Sequence, residues 1–286
     1  MKSQLQKQLE SRLEQLVNKL GDDEKINRKK DLMAKRNAEI VKVQARAKVK
    51  NKIEKDNQTF LHYQIHLKYL IKQKEKMYIE EEIENRKATF YQEQLYNDQE
   101  IVPEFHVPND QPPSLINDAN DDRKSYNYDR LKAVQYAERW WNSYNPKYRK
   151  FTDDCTNFIS QCLHEGGAPM RGYPNRGQGW WMQNNNYSYS WATAHSLMQY
   201  LSTSKTGLRA KQVSSPQELN LGDVICLDFQ GDGRFDHNTI VTGKDAYGMP
   251  LVNAHTYNSR NRYWAYEDSS AYTPNIKYKF FTIVDN

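Results

Sequence analysis

Three thiols, Cys155, Cys162 and Cys226, are the residues of this chain best suited to covalent chemistry. So small and odd a set does not make a disulfide framework. If Cys155 and Cys162 share a helix they stand two turns, about 10 Å, apart, farther than a disulfide spans. Reduced thiols follow, and Cys155 has the setting for chemistry. In Thr152-Asp153-Asp154-Cys155-Thr156-Asn157-Phe158-Ile159-Ser160-Gln161-Cys162-Leu163, the positions Cys155, Phe158, Ile159, Cys162 and Leu163 recur at helical spacing. Thr152 or Asp153 can cap the start. Cys155 then lies in the first turn and faces inward, where the positive end of the helix dipole favours the thiolate. The adjoining carboxylates oppose that effect, so the thiol needs a base.

The segment Asp236-His237-Asn238-Thr239-Ile240-Val241 places His237 at the head of a predicted strand, and Leu251-Val252-Asn253-Ala254-His255 reads as the next strand. A cysteine, a histidine and a polar group that orients the imidazole make the constellation of nucleophilic catalysis. Asn253 is the candidate third group, able to accept a hydrogen bond from the ring and fix its tautomer. His255, two residues along on the same face, is the alternative. Alone, a cysteine at a helix start or a histidine beside Gly231-Asp232-Gly233 is commonly structural, and the combination carries the inference.

Other candidates carry less. Trp180 and Trp181, with Trp191 and the Asn184-Asn185-Asn186 run, suit either a loop that grips substrate or the packing of a small core. Asp228, Asp232 and Asp236 lack the spacing of a calcium loop and read as a hairpin turn. The cysteines and scattered histidines lack zinc spacing. No metal and no cofactor is expected.

The elements that must position Cys155 and His237 begin near Tyr128. Arg130 to Trp141 reads as an amphipathic helix, and Thr152 to Glu165 as a second, stopped by Gly166-Gly167. Strands are predicted over Asp223 to Phe229, Asn238 to Thr242, Pro250 to Ala254 and Ile276 to Val284. Helices followed by an antiparallel sheet imply an α+β class. All six Trp lie in this part, so the core is sought there. Residues 1 to 100 hold one Gly and no Pro and are rich in Lys, Glu, Gln and Leu, which predicts long helices. Leu5, Leu9, Leu13, Leu16 and Leu20 share a face, with Gly21 as a stop. From Glu24 to Lys55 basic residues outnumber acidic ones about three to one, which fits either a contact with an anionic polymer or a solvated helix face. The run of Pro, Asn and Asp from Val102 to Asp122 reads as a linker. The predicted organisation is therefore a helical, coiled-coil or assembly region over 1–101, a linker over 102–124 and a catalytic domain over 125–286.

The segment from about Tyr128 to Phe281 resembles the amidase domain of Gram-positive bacteria, within the papain-like group that includes NlpC/P60 and CHAP hydrolases. The resemblance rests on Tyr128-Asp129-Arg130, Trp140-Trp141-Asn142 and Asn145-Pro146. It rests above all on the string Asp154-Cys155-Thr156-Asn157-Phe158-Ile159-Ser160-Gln161 with Gly166-Gly167, then on Leu221-Gly222-Asp223-Val224, His237, Asn253-Ala254-His255 and Asn258-Ser259-Arg260. It implies a papain-like helix carrying the cysteine, packed on an antiparallel sheet carrying the histidine, and hydrolysis of an amide or peptide bond, with cell-wall peptide the natural substrate class. Cys155 would form a thioester, His237 would protonate the leaving amine, and the backbone N–H of Cys155 would be one oxyanion donor.

A non-catalytic binding or assembly module on the same fold is the reading from a different class, and acyl transfer to an amine shares the same thioester. The formal charge of +5 gives no argument for nucleic acid. No apolar run is long enough for a membrane span, and the first thirty residues lack a signal segment, which predicts a cytoplasmic protein. The Leu-spaced N-terminal helices, unable to bury their stripe alone, are expected to bind another protein or self-associate.

Overall fold

The computed structural model describes residues 1–17, 23–102 and 126–285. Leu20, Gly21 and the linker beyond Val102 lie outside the described residues. The chain divides into two compact units, Met1–Pro103 with Ala265–Tyr272, and Glu104–Trp264 with Thr273–Asn286.

The first unit starts with helices α1 (Lys2–Val17) and α2 (Glu24–Lys35), then forms an antiparallel meander of β1 (Glu39–Lys55), β2 (Gln58–Gln73), β3 (Lys76–Tyr91) and β4 (Gln94–Glu100). This corrects the fold expectation, because residues 39–100 are strands where long helices were predicted. The deciding pattern is strict alternation. Leu61, Tyr63, Ile65, Leu67, Tyr69 and Ile71 of β2 are all buried on one face. The three hairpins turn on Asp56-Asn57, Lys74-Glu75 and Gln92-Glu93, where Asp56, Lys74, Gln92 and Glu93 take positive φ without any glycine. Leu16, Ile26, Leu32 and Met33 of the two helices are buried within the unit, against β1 and β4. Of the Leu stripe on α1, Leu16 is buried, while Leu5, Leu9 and Leu13 stay half-buried.

The second unit contains α3 (Arg130–Trp140), α4 (Cys155–Glu165), a small hairpin of β5 (Met182–Gln183) and β6 (Asn186–Tyr187), α5 (Tyr189–Ala192), α6 (Ala194–Thr203) and β7 (Arg209–Val213). It continues with β8 (Val224–Asp228), β9 (His237–Lys244), β10 (Pro250–Ala254), β11 (Ser259–Tyr263) and β12 (Lys277–Val284). Its sheet runs β11-β10-β9-β8-β12-β7, antiparallel throughout. Antiparallel sheet thus runs through both units and the helices are short, and the class predicted from sequence, a papain-like α+β domain behind long helices, is not what the chain forms. Among the described residues no helix is long and apolar enough to cross a membrane.

Local chemistry explains the motif strings of this unit. Asp129 caps α3 by accepting from the Lys132 N–H at 3.0 Å. Arg130 donates to Asp223 at 2.5 Å and to the Leu221 and Ile283 carbonyls at 2.8 and 2.7 Å. The Tyr128 hydroxyl donates to the Gly222 carbonyl at 2.8 Å. The Tyr-Asp-Arg and Leu-Gly-Asp strings are therefore two halves of one staple between α3 and the sheet. Gly166 ends α4 where a Cβ would come within 2.4 Å of the Tyr128 ring, so only glycine fits.

Candidate active site

Helix α4 is buried from Cys155 to Leu163 without a break, so its polar residues must be satisfied inside the unit. Asn157 donates to the Arg149 carbonyl and to Asp154, both at 2.9 Å, and accepts from the Trp191 indole at 2.9 Å. Ser160 donates to the Trp191 carbonyl and accepts from the Trp180 indole, both at 2.9 Å. Gln161 accepts from the Tyr136 hydroxyl at 2.6 Å. The polar letters of the Asp-Cys-Thr-Asn-Phe-Ile-Ser-Gln string thus fix the helix that carries the thiol.

Cys155 is the first residue of that helix and is 4% exposed. Its sulfur lies 3.7 Å from the Thr156 hydroxyl. Burial pushes the thiol up to about 11, while the Thr156 hydroxyl and the backbone N–H groups of Asn238 and Thr156 pull it down. Asp154, not Thr152 or Asp153, occupies the N-cap position, and its carboxylate accepts elsewhere, from the Phe151 N–H at 3.0 Å, Asn157 and His255. The cap is supplied from a distance. The Thr256 hydroxyl, in the turn between β10 and β11, accepts from the backbone N–H groups of both Asp154 and Cys155, at 3.0 and 3.2 Å. The Cys155 N–H expected to serve as an oxyanion donor is thus already engaged.

His237 opens β9, one residue before the Asn238 N–H that reaches the sulfur. The Asn238 amide donates to the Thr156 hydroxyl at 3.0 Å on the α4 side of the sheet. Alternation along the strand then sends His237 to the other side. There its ring stacks on Phe229 at 6.1 Å and meets the edge of Tyr257 at 6.0 Å. Burial, with Arg262 adding to it, lowers the imidazole to about 3. Cys155 and His237 therefore occupy adjoining segments, and both are neutral at pH 7 in this arrangement.

Neither candidate third residue turns its side chain to His237. Asn253 donates to Glu138 at 2.8 Å and accepts from the Thr242 hydroxyl and the Asn261 N–H at 2.8 and 2.9 Å. His255 donates to Asp154 and to the Trp140 carbonyl, each at 2.8 Å, and stacks on Phe158 at 4.0 Å. Trp180 and Trp181, candidates for gripping substrate, are buried, with the Trp181 indole donating to the Asn175 and Gln178 carbonyls at 3.1 and 3.0 Å. They pack the unit and present no open face. Asp228 accepts from the Gly231 and Gly233 N–H groups at 2.7 and 2.8 Å, as a hairpin turn requires. Among the described residues no group of three or more His, Cys, Asp or Glu is placed to hold a metal ion. Sequence reasoning missed Thr256, because nothing in its own neighbourhood shows that it caps a helix a hundred residues away.

Comparison with known proteins places this geometry in a family. The chain is 52% identical over 301 aligned positions to the uncharacterized protein YhbB of Bacillus subtilis (strain 168), with 99% of this chain and 96% of that protein covered. It is 29% identical over 144 positions to the uncharacterized protein YjcM of the same organism, covering 47% of this chain and 32% of that protein. No solved structure matches. The family model described as Putative amidase domain matches residues 127–281, the segment that carries Cys155, His237 and the turn over them, and the chain belongs to that family.

Proposed function

We propose that this chain hydrolyses an amide or peptide bond through Cys155. Family membership supports the amide class, and the observation that carries the cysteine is the position of its sulfur. It sits at the start of a helix buried from Cys155 to Leu163, with the Thr156 hydroxyl and the Thr156 and Asn238 N–H groups directed at it. In the reaction His237 takes the thiol proton, the sulfur bonds to the substrate carbonyl carbon, the carbon–nitrogen bond breaks, and the amine leaves with that proton returned by His237. Water then cleaves the thioester to the acid and restores the thiol. His237 is the proposed base because it directly precedes Asn238, whose N–H reaches the sulfur, in β9. To exchange a proton with Cys155 it must leave its slot between Phe229 and Tyr257, so the described arrangement is a resting one. Cell-wall peptide is the substrate class to test first.

Purified protein incubated with peptidoglycan fragments and a panel of acylated amines, read by mass spectrometry, tests this. Cys155→Ala and His237→Ala should each abolish turnover and keep the parent's circular dichroism, whereas Cys162→Ala and Cys226→Ala should keep it. A Cys155→Ala protein that cleaves as fast as the parent refutes the mechanism. An active His237→Ala protein moves the base elsewhere and leaves the nucleophile standing. The depth of Cys155 and His237 favours one second reading, a binding module without turnover. It predicts equal, slow alkylation of all three thiols, where an active site labels Cys155 first.

A further inference from the structure

The turn between β10 and β11 touches every part of the proposed site. His255 donates to Asp154, Thr256 accepts from the Asp154 and Cys155 N–H groups, and the Tyr257 ring meets His237. Thr256 does so at φ +69, in the left-handed region that a β-branched side chain rarely enters. Its hydroxyl oxygen occupies the place beside the Cys155 N–H where the carbonyl oxygen of a substrate attacked by Cys155 would sit.

We infer that Thr256 is a positioning residue for the reaction, its hydroxyl holding the Cys155 N–H in the resting chain until the substrate carbonyl oxygen replaces it. The inference rests on Cys155 being the nucleophile. Three observations carry it. The acceptor comes from a turn a hundred residues away, although Asp154 stands at the N-cap with a carboxylate that binds other groups. The same turn bears on His237 through Tyr257, so its displacement would free the Cys155 N–H and one side of the imidazole together. The unfavourable φ at Thr256 means that release of the turn is opposed by less than its hydrogen bonds alone would suggest. While it is in place, the hydroxyl also takes up the N–H groups whose positive charge would otherwise favour the Cys155 thiolate.

The test compares Thr256→Val, which keeps shape and branching but removes the acceptor, with Thr256→Ser, which keeps the acceptor, and with Thr256→Gly, which removes acceptor and strain together. The rate of Cys155 alkylation by iodoacetamide is followed from pH 6 to pH 11 in the full chain, with Cys155→Ala as the blank. Thr256→Val and Thr256→Gly should raise the rate at pH 7 about three- to tenfold by moving the thiol's titration to lower pH, and Thr256→Ser should reproduce the parent profile. A folded Thr256→Val or Thr256→Gly protein with the parent profile overturns the inference, as does a Thr256→Ser protein that behaves like the Val variant. Should Thr256→Val fail to fold, the Gly variant decides, since glycine adopts this φ freely. Failure of the cysteine mechanism would appear separately, as turnover retained in Cys155→Ala.

Discussion

Burial and hydrogen bonding pull the Cys155 thiol in opposite directions, and burial wins in the resting chain. The sulfur is therefore protonated at pH 7, and its reactivity is expected to climb with pH. Alkylation of Cys155 in the parent should rise roughly tenfold per pH unit between pH 7 and pH 10 and level off near 11, following the thiolate fraction. A flat profile from pH 6 upward would instead reveal a standing thiolate–imidazolium pair and contradict the neutral resting state. Cys226 and Cys162, both raised by burial well above the ordinary thiol value, should label more slowly at every pH. Asn253 belongs to this scale too. With its amide spent on Glu138, Thr242 and Asn261, Asn253→Ala is expected to cost about 1–3 kcal/mol of stability, measured by urea unfolding, through buried groups left unpaired.

At the scale of elements, the first unit packs its helices onto its sheet through buried charge. Burial works to raise the Glu84 carboxyl, and Lys25, Arg12 and Arg86 override it and hold it far below the ordinary value of 4.5. Lys25 donates to Glu84 at 2.7 Å, and Arg12 and Arg86 at 3.1 and 3.2 Å. A carboxyl lowered by folding adds stability above its unfolded value and loses it as pH falls below about 4.5. The thermal transition of the first unit should therefore fall steadily between pH 5 and pH 2, and in Glu84→Gln this acid sensitivity should weaken. The same variant leaves three cations around a neutral amide, and at pH 7 it should cost about 3–5 kcal/mol. Parent-like melting of Glu84→Gln at pH 7 would show that the cluster is solvated and contributes nothing.

For the whole molecule, the structural division does not follow chain order. Ala265–Tyr272, which lies in sequence between β11 and β12, belongs with the N-terminal unit. There Lys29 donates to Asp268 at 2.7 Å and also to Glu80, Lys35 pairs with Glu267 at 2.5 Å, and Arg28 donates to the Ser269 carbonyl at 3.2 Å. Lys29, Glu80 and Asp268 are all buried. A chain begun after residue 101 strips the buried Asp268 of its cation, so it should melt well below the full chain or aggregate when measured side by side. Lys29→Met in the full chain removes the buried cation that Glu80 and Asp268 share and should cost about 3–5 kcal/mol. If the truncated chain melts as cooperatively and as high as the parent, the contiguous boundary read from composition is the better one.

The sequence by itself located the helix of Cys155 and the strands Val224–Asp228, His237–Lys244, Pro250–Ala254 and Lys277–Val284, through apolar runs bounded by Gly and Asp turns, although Cys155–Leu163 and Pro250–Ala254 are buried at every position. It also carried the family string around Cys155. Before Pro103 it misled, since Lys, Glu and Gln favour helix by propensity while the alternating Leu61 to Ile71 pattern and three glycine-free hairpin turns make sheet. Only the tertiary structure decided which face of β9 His237 takes, that Asn253 and His255 spend their hydrogen bonds on Glu138 and Asp154, and that Thr256 caps the Cys155 helix. Those outcomes depend on which strand lies beside which and on where a distant turn comes to rest, and long-range placement of that kind leaves no periodicity in the chain to read.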